Sequence, residues 1–174
     1  ASFDSYKLRR ELLGGSTSPM QRRSNLQGAR LVDILCYCLM PNHFHLIVRN
    51  NIENGIMRFM QKLGTSYTSY FNIRYERSGH LFQGKYKRIE VGTNEQLTYL
   101  TAYIHGNPVF ARLADTPDRW QWSSYKYFIR GESDGIIAID NDLFEYTSSG
   151  HTNLICDIQQ EKQSLVRIAD LLLE

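Results

Sequence analysis

The sequence predicts an α+β domain, and three stretches predict it. A β-rich run over residues 31–40 breaks at Pro41-Asn42 and resumes over 43–49, an amphipathic helical pattern covers 53–75, and a second helical pattern begins at a capping box on Thr93. The chain has 174 residues, 42% of them hydrophobic and 22% charged, enough apolar surface for one core of ordinary size. No apolar run approaches the ~20 residues that a bilayer-crossing helix needs, and the first residues lack the basic, apolar, small-residue series of a secretory signal. A cytoplasmic protein with no membrane partner is expected. Cys36, Cys38 and Cys156 form no C-x-x-C pair and are odd in number, so reduced thiols are expected, with Cys36 and Cys38 as packing residues.

Each element follows from its local pattern. Residues 4–13 place Tyr6, Leu8, Leu12 and Leu13 among basic residues, which suits a short amphipathic helix stopped by Gly14-Gly15. Residues 16–30 are polar and without period, and form a long connection. Proline cannot donate to a sheet ladder and Pro-Asn is good turn chemistry, so 31–40 and 43–49 are expected to be antiparallel strands of a hairpin, with His43 and His45 opening the second. Over 53–75, Ile56, Phe59, Met60, Leu63, Tyr67, Tyr70 and Phe71 recur at three and four residues and mark the buried face of a helix, leaving Arg58, Lys62 and Arg74 outside. Residues 80–91 read as a strand that turns basic at Lys85. Thr93-Asn94-Glu95-Gln96 starts a helix that continues through Leu97, Leu100, Tyr103 and Ile104 to a stop at Gly106-Asn107-Pro108. Ser123-Ser124 suits a cap, Trp120 and Trp122 suit a packing anchor, and a last helix is expected over 158–173.

The net charge of +2 hides an asymmetry. Residues 1–90 hold 14 Lys and Arg against 6 Asp and Glu, a balance of +8, whereas 91–174 hold 6 against 12, a balance of -6. A basic half suits a polyanion, because each neutralised phosphate releases condensed counterions, though it equally suits a solvated face. Lys85, Tyr86, Lys87 and Arg88 interleave cations with an aromatic ring, as a surface that follows a phosphate backbone and stacks a base would.

His43-Phe44-His45 carries the most chemistry. Residues two apart on a strand share a face, so His43 and His45 can aim both imidazoles at one metal ion while Phe44 enters the core. Tyr103 and Asn107 lie four apart and share a helical face while the helix persists, with Asn107 exposed to unwinding by the proline that follows. His105 lies about 200° round from Tyr103 at ~3.6 residues per turn, so a structural role, or one in contact with a polyanion, suits it better than catalysis.

Four blocks together resemble a known family. Cys38-Leu39-Met40-Pro41-Asn42-His43-Phe44-His45-Leu46-Ile47-Val48, Ser78-Gly79-His80-Leu81-Phe82-Gln83-Gly84-Lys85-Tyr86-Lys87, Tyr103-Ile104-His105-Gly106-Asn107-Pro108-Val109 and Trp120-Gln121-Trp122-Ser123-Ser124-Tyr125 are similar, in this order, to the small single-tyrosine HUH transposases, nearest to the REP-associated branch. The resemblance covers residues 31–130. It implies a ferredoxin-like antiparallel sheet with helices on one face, the HUH endonuclease fold. It implies a metal-dependent single-stranded DNA endonuclease and strand-transferase, with Tyr103 as the nucleophile that forms a covalent 5'-phosphotyrosine. It also implies His43, His45 and Asn107 as ligands of Mg2+ or Mn2+, and single-stranded DNA with a hairpin or palindromic element as partner. Arg58, Lys62, Lys85, Tyr86, Lys87 and Arg88 are the candidate DNA-binding residues. A homodimer sharing the tyrosine helix and a monomer are both compatible with it.

The chemistry of these residues agrees. Two imidazoles and an amide oxygen leave positions open for phosphate and water, as a catalytic site needs, with manganese more at ease than magnesium beside nitrogen ligands and zinc a further alternative. A tyrosine ester conserves the phosphodiester bond energy for rejoining, which attack by water does not. A phenol ionises only near pH ~10 in water, so activation is expected from the metal and neighbouring cations, with His80 and His105 as weaker candidates for a base.

Two expectations concern the ends of the chain. The family places a strand before its first helix, whereas here that helix begins almost at once, so the strand precedes Ala1, is reduced to Ala1-Ser2-Phe3, or is missing. Residues 1–130 are expected to form the transposase-like domain and 131–174 an acidic extension with a helix. Two other functions fit the same residues: a domesticated hairpin-DNA-binding protein that does not cut, and a metal-dependent phosphoesterase that uses water.

Overall fold

A computed structural model describes residues 30–138 and 148–171. The helix expected over 4–13, the connection up to residue 29 and the Ala1-Ser2-Phe3 remnant lie outside the described residues. The α+β class is observed: the order is β1 (Val32–Leu39), β2 (Phe44–Asn50), α1 (Gly55–Arg74), α2 (Asn94–Phe110), a 3-10 turn (Pro117–Arg119), α3 (Tyr125–Arg130) and α4 (Ser148–Leu171). The described residues divide into two compact units, one of Ile34–Ile47 with the segments that follow Val91, the other of residues 30–33 with Val48–Glu90.

In the first unit the hairpin turns at Pro41-Asn42, closed by a Met40 N–H that donates to the His43 carbonyl at 2.8 Å. His43 therefore ends the turn and His45 sits within β2, rather than both lying in the strand. β1 and β2 form a two-stranded antiparallel sheet among the described residues. The other edge of β1 carries isolated bridges to Ile137 and Ser123, with Ser124 N–H donating to the Tyr37 carbonyl at 2.9 Å and Leu39 N–H to that of Trp122 at 2.9 Å. These bonds satisfy an edge that would otherwise pair with another chain. Leu35, Cys36, Cys38, Met40 and Ile47 form a core with Leu97 and Ile104 of α2, and Trp120 packs on it while its indole N–H donates to the Leu39 carbonyl at 3.0 Å. Cys36 and Cys38 are buried packing residues as expected, with burial pushing the Cys38 thiol up to about 12, whereas Cys156 is exposed.

The capping box holds the start of α2. Thr93 Oγ1 accepts from Gln96 N–H at 3.2 Å, and Gln96 Oε1 reaches back to Gly92 N–H at 2.9 Å. The other end departs from expectation. α2 runs through Gly106, Asn107 and Pro108 to Phe110 instead of stopping there. Pro108 cannot supply an N–H to the carbonyl one turn back, yet Asn107, Pro108 and Val109 are all buried, and packing outweighs the propensity cost. Gly106 permits this packing: a Cβ there would collide with the Phe110 ring and come within 3.0 Å of Ile155 Cγ2.

α3 starts after Ser123-Ser124, but Ser124 does not cap it with its side chain; Ser123 Oγ accepts from Tyr125 N–H at 3.1 Å. α4 begins at Ser148, well before the expected start at residue 158. His151, Ile155 and Ile158 recur at four and three residues and are buried, because Ile155 and Ile158 pack with Ala102 and Tyr125 against α2 and α3.

The second unit is built round α1, which buries Leu63, Tyr67 and Phe71. Asn54 opens it with φ 57, and a Cβ on Gly55 would collide with the Leu31 carbonyl and the Asn50 side chain, whose Oδ1 accepts from Ile56 N–H at 3.0 Å. Asp33 pairs with Arg49 at 3.1 Å. The strand expected over 80–91 does not form. Almost every residue of that segment is exposed, so no buried face fixes a register for it.

Candidate active site

The first unit holds the candidate ligands and nucleophile. His43 is exposed, and its Nδ1 lies 2.6 Å from Asn42 Oδ1. With Nδ1–H donating to that amide oxygen, the Nε2 lone pair is left for a ligand, the arrangement by which an outer partner selects a histidine tautomer. His45 is half-buried, its ring 5.0 Å from that of His43 and near perpendicular to it at 89°. Burial first, then the charges of His43 and Lys162, lower the His45 pKa, so its imidazole is neutral and able to bind a metal at neutral pH.

On α2, Tyr103 is partly buried and Asn107 lies one turn further along the same unbroken helix. Asn107 is 9% exposed and its Nδ2 has no hydrogen-bond partner. A buried amide that lacks a partner is costly unless a ligand completes it. The unpaired group is an N–H donor, which suits an acceptor such as a phosphate oxygen, while the amide oxygen is the atom that could ligate a divalent ion. Among the described residues no group of three or more His, Cys, Asp or Glu is placed to hold a metal; the candidate donors expected from the sequence are two imidazoles and one carboxamide.

Sequence patterns missed one residue at this site. Lys162 of α4 donates to Tyr103 Oη at 3.1 Å, and its Nζ lies 4.2 Å from the centre of the Tyr103 ring and 4.6 Å from that of Phe110. Phe110 itself packs against Tyr103, the ring centres 5.8 Å apart and the planes tilted by 54°. The signal was a register: Lys162 follows His151, Ile155 and Ile158 at the next helical step, a cation ending an apolar stripe. The charge of Lys162 also reaches His45, which links the histidine hairpin to the tyrosine helix electrostatically.

His105 is wholly buried and structural. Its Nε2 lies 2.8 Å from Ser124 Oγ and its Nδ1 2.9 Å from His151 Nε2. One proton arrangement satisfies both bonds: His105 Nε2–H donates to Ser124, and His151 Nε2–H donates to His105 Nδ1. Both rings are then neutral, and burial lowers both pKa values, that of His151 to about 4. The other weak candidate for a base, His80, is exposed in the second unit, where its carbonyl accepts from Arg77 at 3.0 Å.

The six candidate DNA-binding residues belong to the second unit. Arg58 and Lys62 are exposed on α1, and Lys85, Tyr86, Lys87 and Arg88 are exposed along the irregular segment that replaces the expected strand. No helix among the described residues is long and apolar enough to cross a membrane.

Residues 7–107 match the family model described as Transposase IS200 like. No curated protein and no solved structure matches the chain.

Proposed function

The chain belongs to the IS200-like transposase family, and on that premise we propose that it cuts and rejoins single-stranded DNA through a covalent tyrosine ester. Membership makes it a DNA-processing protein of the transposase type, with DNA as its partner. The finer reading rests above all on one observation: the matched residues, 7–107, include His43, His45, Tyr103 and Asn107 together.

His43, His45 and Asn107 would hold a divalent ion, Mg2+ or Mn2+, which supplies Lewis-acid neutralisation of the scissile phosphate when bound. The remaining work falls to the chain's own groups. α2 fixes Tyr103 one turn from Asn107, so the nucleophile and a ligand move as one rigid element. Tyr103 Oη attacks the phosphorus, the bond to the 3'-oxygen breaks, and a 5'-phosphotyrosine forms. Attack by a second 3'-hydroxyl reverses the step and joins strands. The exposed cations of the second unit, from Arg58 to Arg88, bind the backbone of a strand bearing a hairpin or palindromic element.

Incubation with labelled single-stranded hairpin DNA and Mg2+ or Mn2+ tests this. A denaturation-resistant protein–DNA adduct that disappears in Tyr103→Phe is expected. Binding without an adduct would instead indicate a protein that recognises hairpins without cutting, and cleavage that survives Tyr103→Phe would indicate hydrolysis by water.

A further inference from the structure

We infer that Lys162 is a catalytic residue whose ammonium, delivered to the site by α4, stabilises the negative charge that develops on the Tyr103 oxygen during cleavage and rejoining. The inference rests on Tyr103 being the nucleophile, as proposed above, and adds a residue that lies beyond the matched span of 7–107.

Three observations support it. Lys162 Nζ donates directly to the reacting atom, Tyr103 Oη, at 3.1 Å. Among the described residues it is the sole hydrogen-bond partner of that hydroxyl; the nearest histidine in sequence, His105, is wholly buried and engaged by Ser124 and His151. The ammonium is also held in place, since it lies over the Tyr103 ring at 4.2 Å and the Phe110 ring at 4.6 Å, contacts that restrict a side chain otherwise free to rotate. Its position is set by the fold. Ile155 and Ile158 seat α4 on α2, Gly106 lets Ile155 approach, and Lys162 follows one turn after Ile158.

The chemistry requires such a group. A phenol attacks phosphorus as its oxygen anion, so the phenol proton passes to solvent and negative charge rests on Oη until the Oη–P bond forms. As that bond forms, the bond from phosphorus to the 3'-oxygen breaks, and the departing oxygen takes a proton from solvent. In rejoining, the incoming 3'-hydroxyl loses its proton to solvent, its oxygen bonds phosphorus, the P–Oη bond breaks and the charge returns to Oη. A fixed cation beside Oη stabilises both directions without itself gaining or losing a proton, as preorganised donors do wherever charge develops.

The test compares Lys162→Met, Lys162→Ala and Lys162→Arg with the unsubstituted protein, each checked for folding by thermal melting. Adduct formation in Lys162→Met should slow by roughly 10²-fold, the usual cost of removing one charge-stabilising donor, while hairpin-DNA affinity stays unchanged. Lys162→Arg should recover most of the rate, and ethylammonium in solution should partly rescue Lys162→Ala. Adduct formation at the original rate in Lys162→Met, or a loss that neither arginine nor ethylammonium repairs, would overturn the inference. A second measurement needs no DNA. A phenolate-selective aryl sulfonyl fluoride should label Tyr103 several-fold more slowly in Lys162→Met, with exposed Tyr99 as internal reference. Equal labelling of Tyr103 in both proteins would overturn the role of Lys162 even if no protein–DNA adduct forms at all, and slower labelling would sustain it in that same case.

Discussion

Asn107 follows Tyr103 by one helical turn, inside a helix that continues past Pro108 to Phe110. The proposed nucleophile and a proposed metal ligand are thereby held on one rigid element. The carboxamide is buried with its Nδ2 donor unpaired, a cost that a phosphate oxygen accepting from it would offset.

This arrangement predicts opposite effects of Asn107→Leu on binding and on stability. Loss of the ligand should weaken Mn2+ affinity by at least about tenfold, near 1.4 kcal/mol, while replacing an unpaired buried polar group with an apolar one of similar size should leave stability unchanged or raise it by about 1 kcal/mol. Isothermal titration and thermal melting of the same variant read the two effects. Weaker stability with unaltered Mn2+ affinity would make Asn107 a packing residue.

Gly106→Ala should destabilise the protein by about 1–3 kcal/mol, the usual cost of overpacking. The added Cβ meets Phe110 and Ile155 together, so α4 must shift from α2 or Phe110 must leave Tyr103. Adduct formation should fall with stability, and denaturant melts alongside rate measurements would expose a variant that loses neither.

The pair His105–His151 predicts acid sensitivity above the carboxylate range. Both rings are buried neutral, with pKa values depressed below the ordinary 6.5 and that of His151 near 4. Below pH ~6.5 the unfolded chain takes up protons that the folded chain refuses, so stability is complete above that pH and falls as pH drops. The expected slope is up to about 1.4 kcal/mol per pH unit for each histidine. Denaturant midpoints at pH 7, 6 and 5 measure it, and His151→Gln should flatten the curve. A midpoint constant across that range would mean that the rings are charged or exposed in solution.

The exposed cations of the second unit predict a salt dependence. Lys85→Ala, Lys87→Ala and Arg88→Ala should each reduce the slope of log affinity against log salt by up to about 0.7 for a single strand, and Tyr86→Ala should remove about 1–3 kcal/mol of base stacking. Binding titrations across a salt series distinguish these effects from a fold defect, which would weaken binding without changing the slope.

How legible the molecule was in its sequence depended on how local each signal is. The Pro41-Asn42 turn, the Thr93 capping box and the apolar face of α1 from Ile56 to Phe71 are read over a few residues, and all three are observed. The end of α2 was misplaced because Gly106 and Pro108 stop an isolated helix, whereas burial against Ile155 carries this one onward. The strand expected over 80–91 rested on a basic alternation with no apolar face to bury. Lys162 was missed because its meaning depends on a helix pairing between residues 59 positions apart. The candidate ligands and nucleophile came from motif spacing and resemblance, while the cation on the nucleophile came only from packing.

The most direct test of the central claim is peptide mapping of the adduct formed with hairpin DNA and Mn2+. Nuclease digestion, proteolysis and mass spectrometry should find a nucleotide joined through its 5'-phosphate to Tyr103. Attachment at any other residue, or cleaved DNA with no attached nucleotide, would contradict the account.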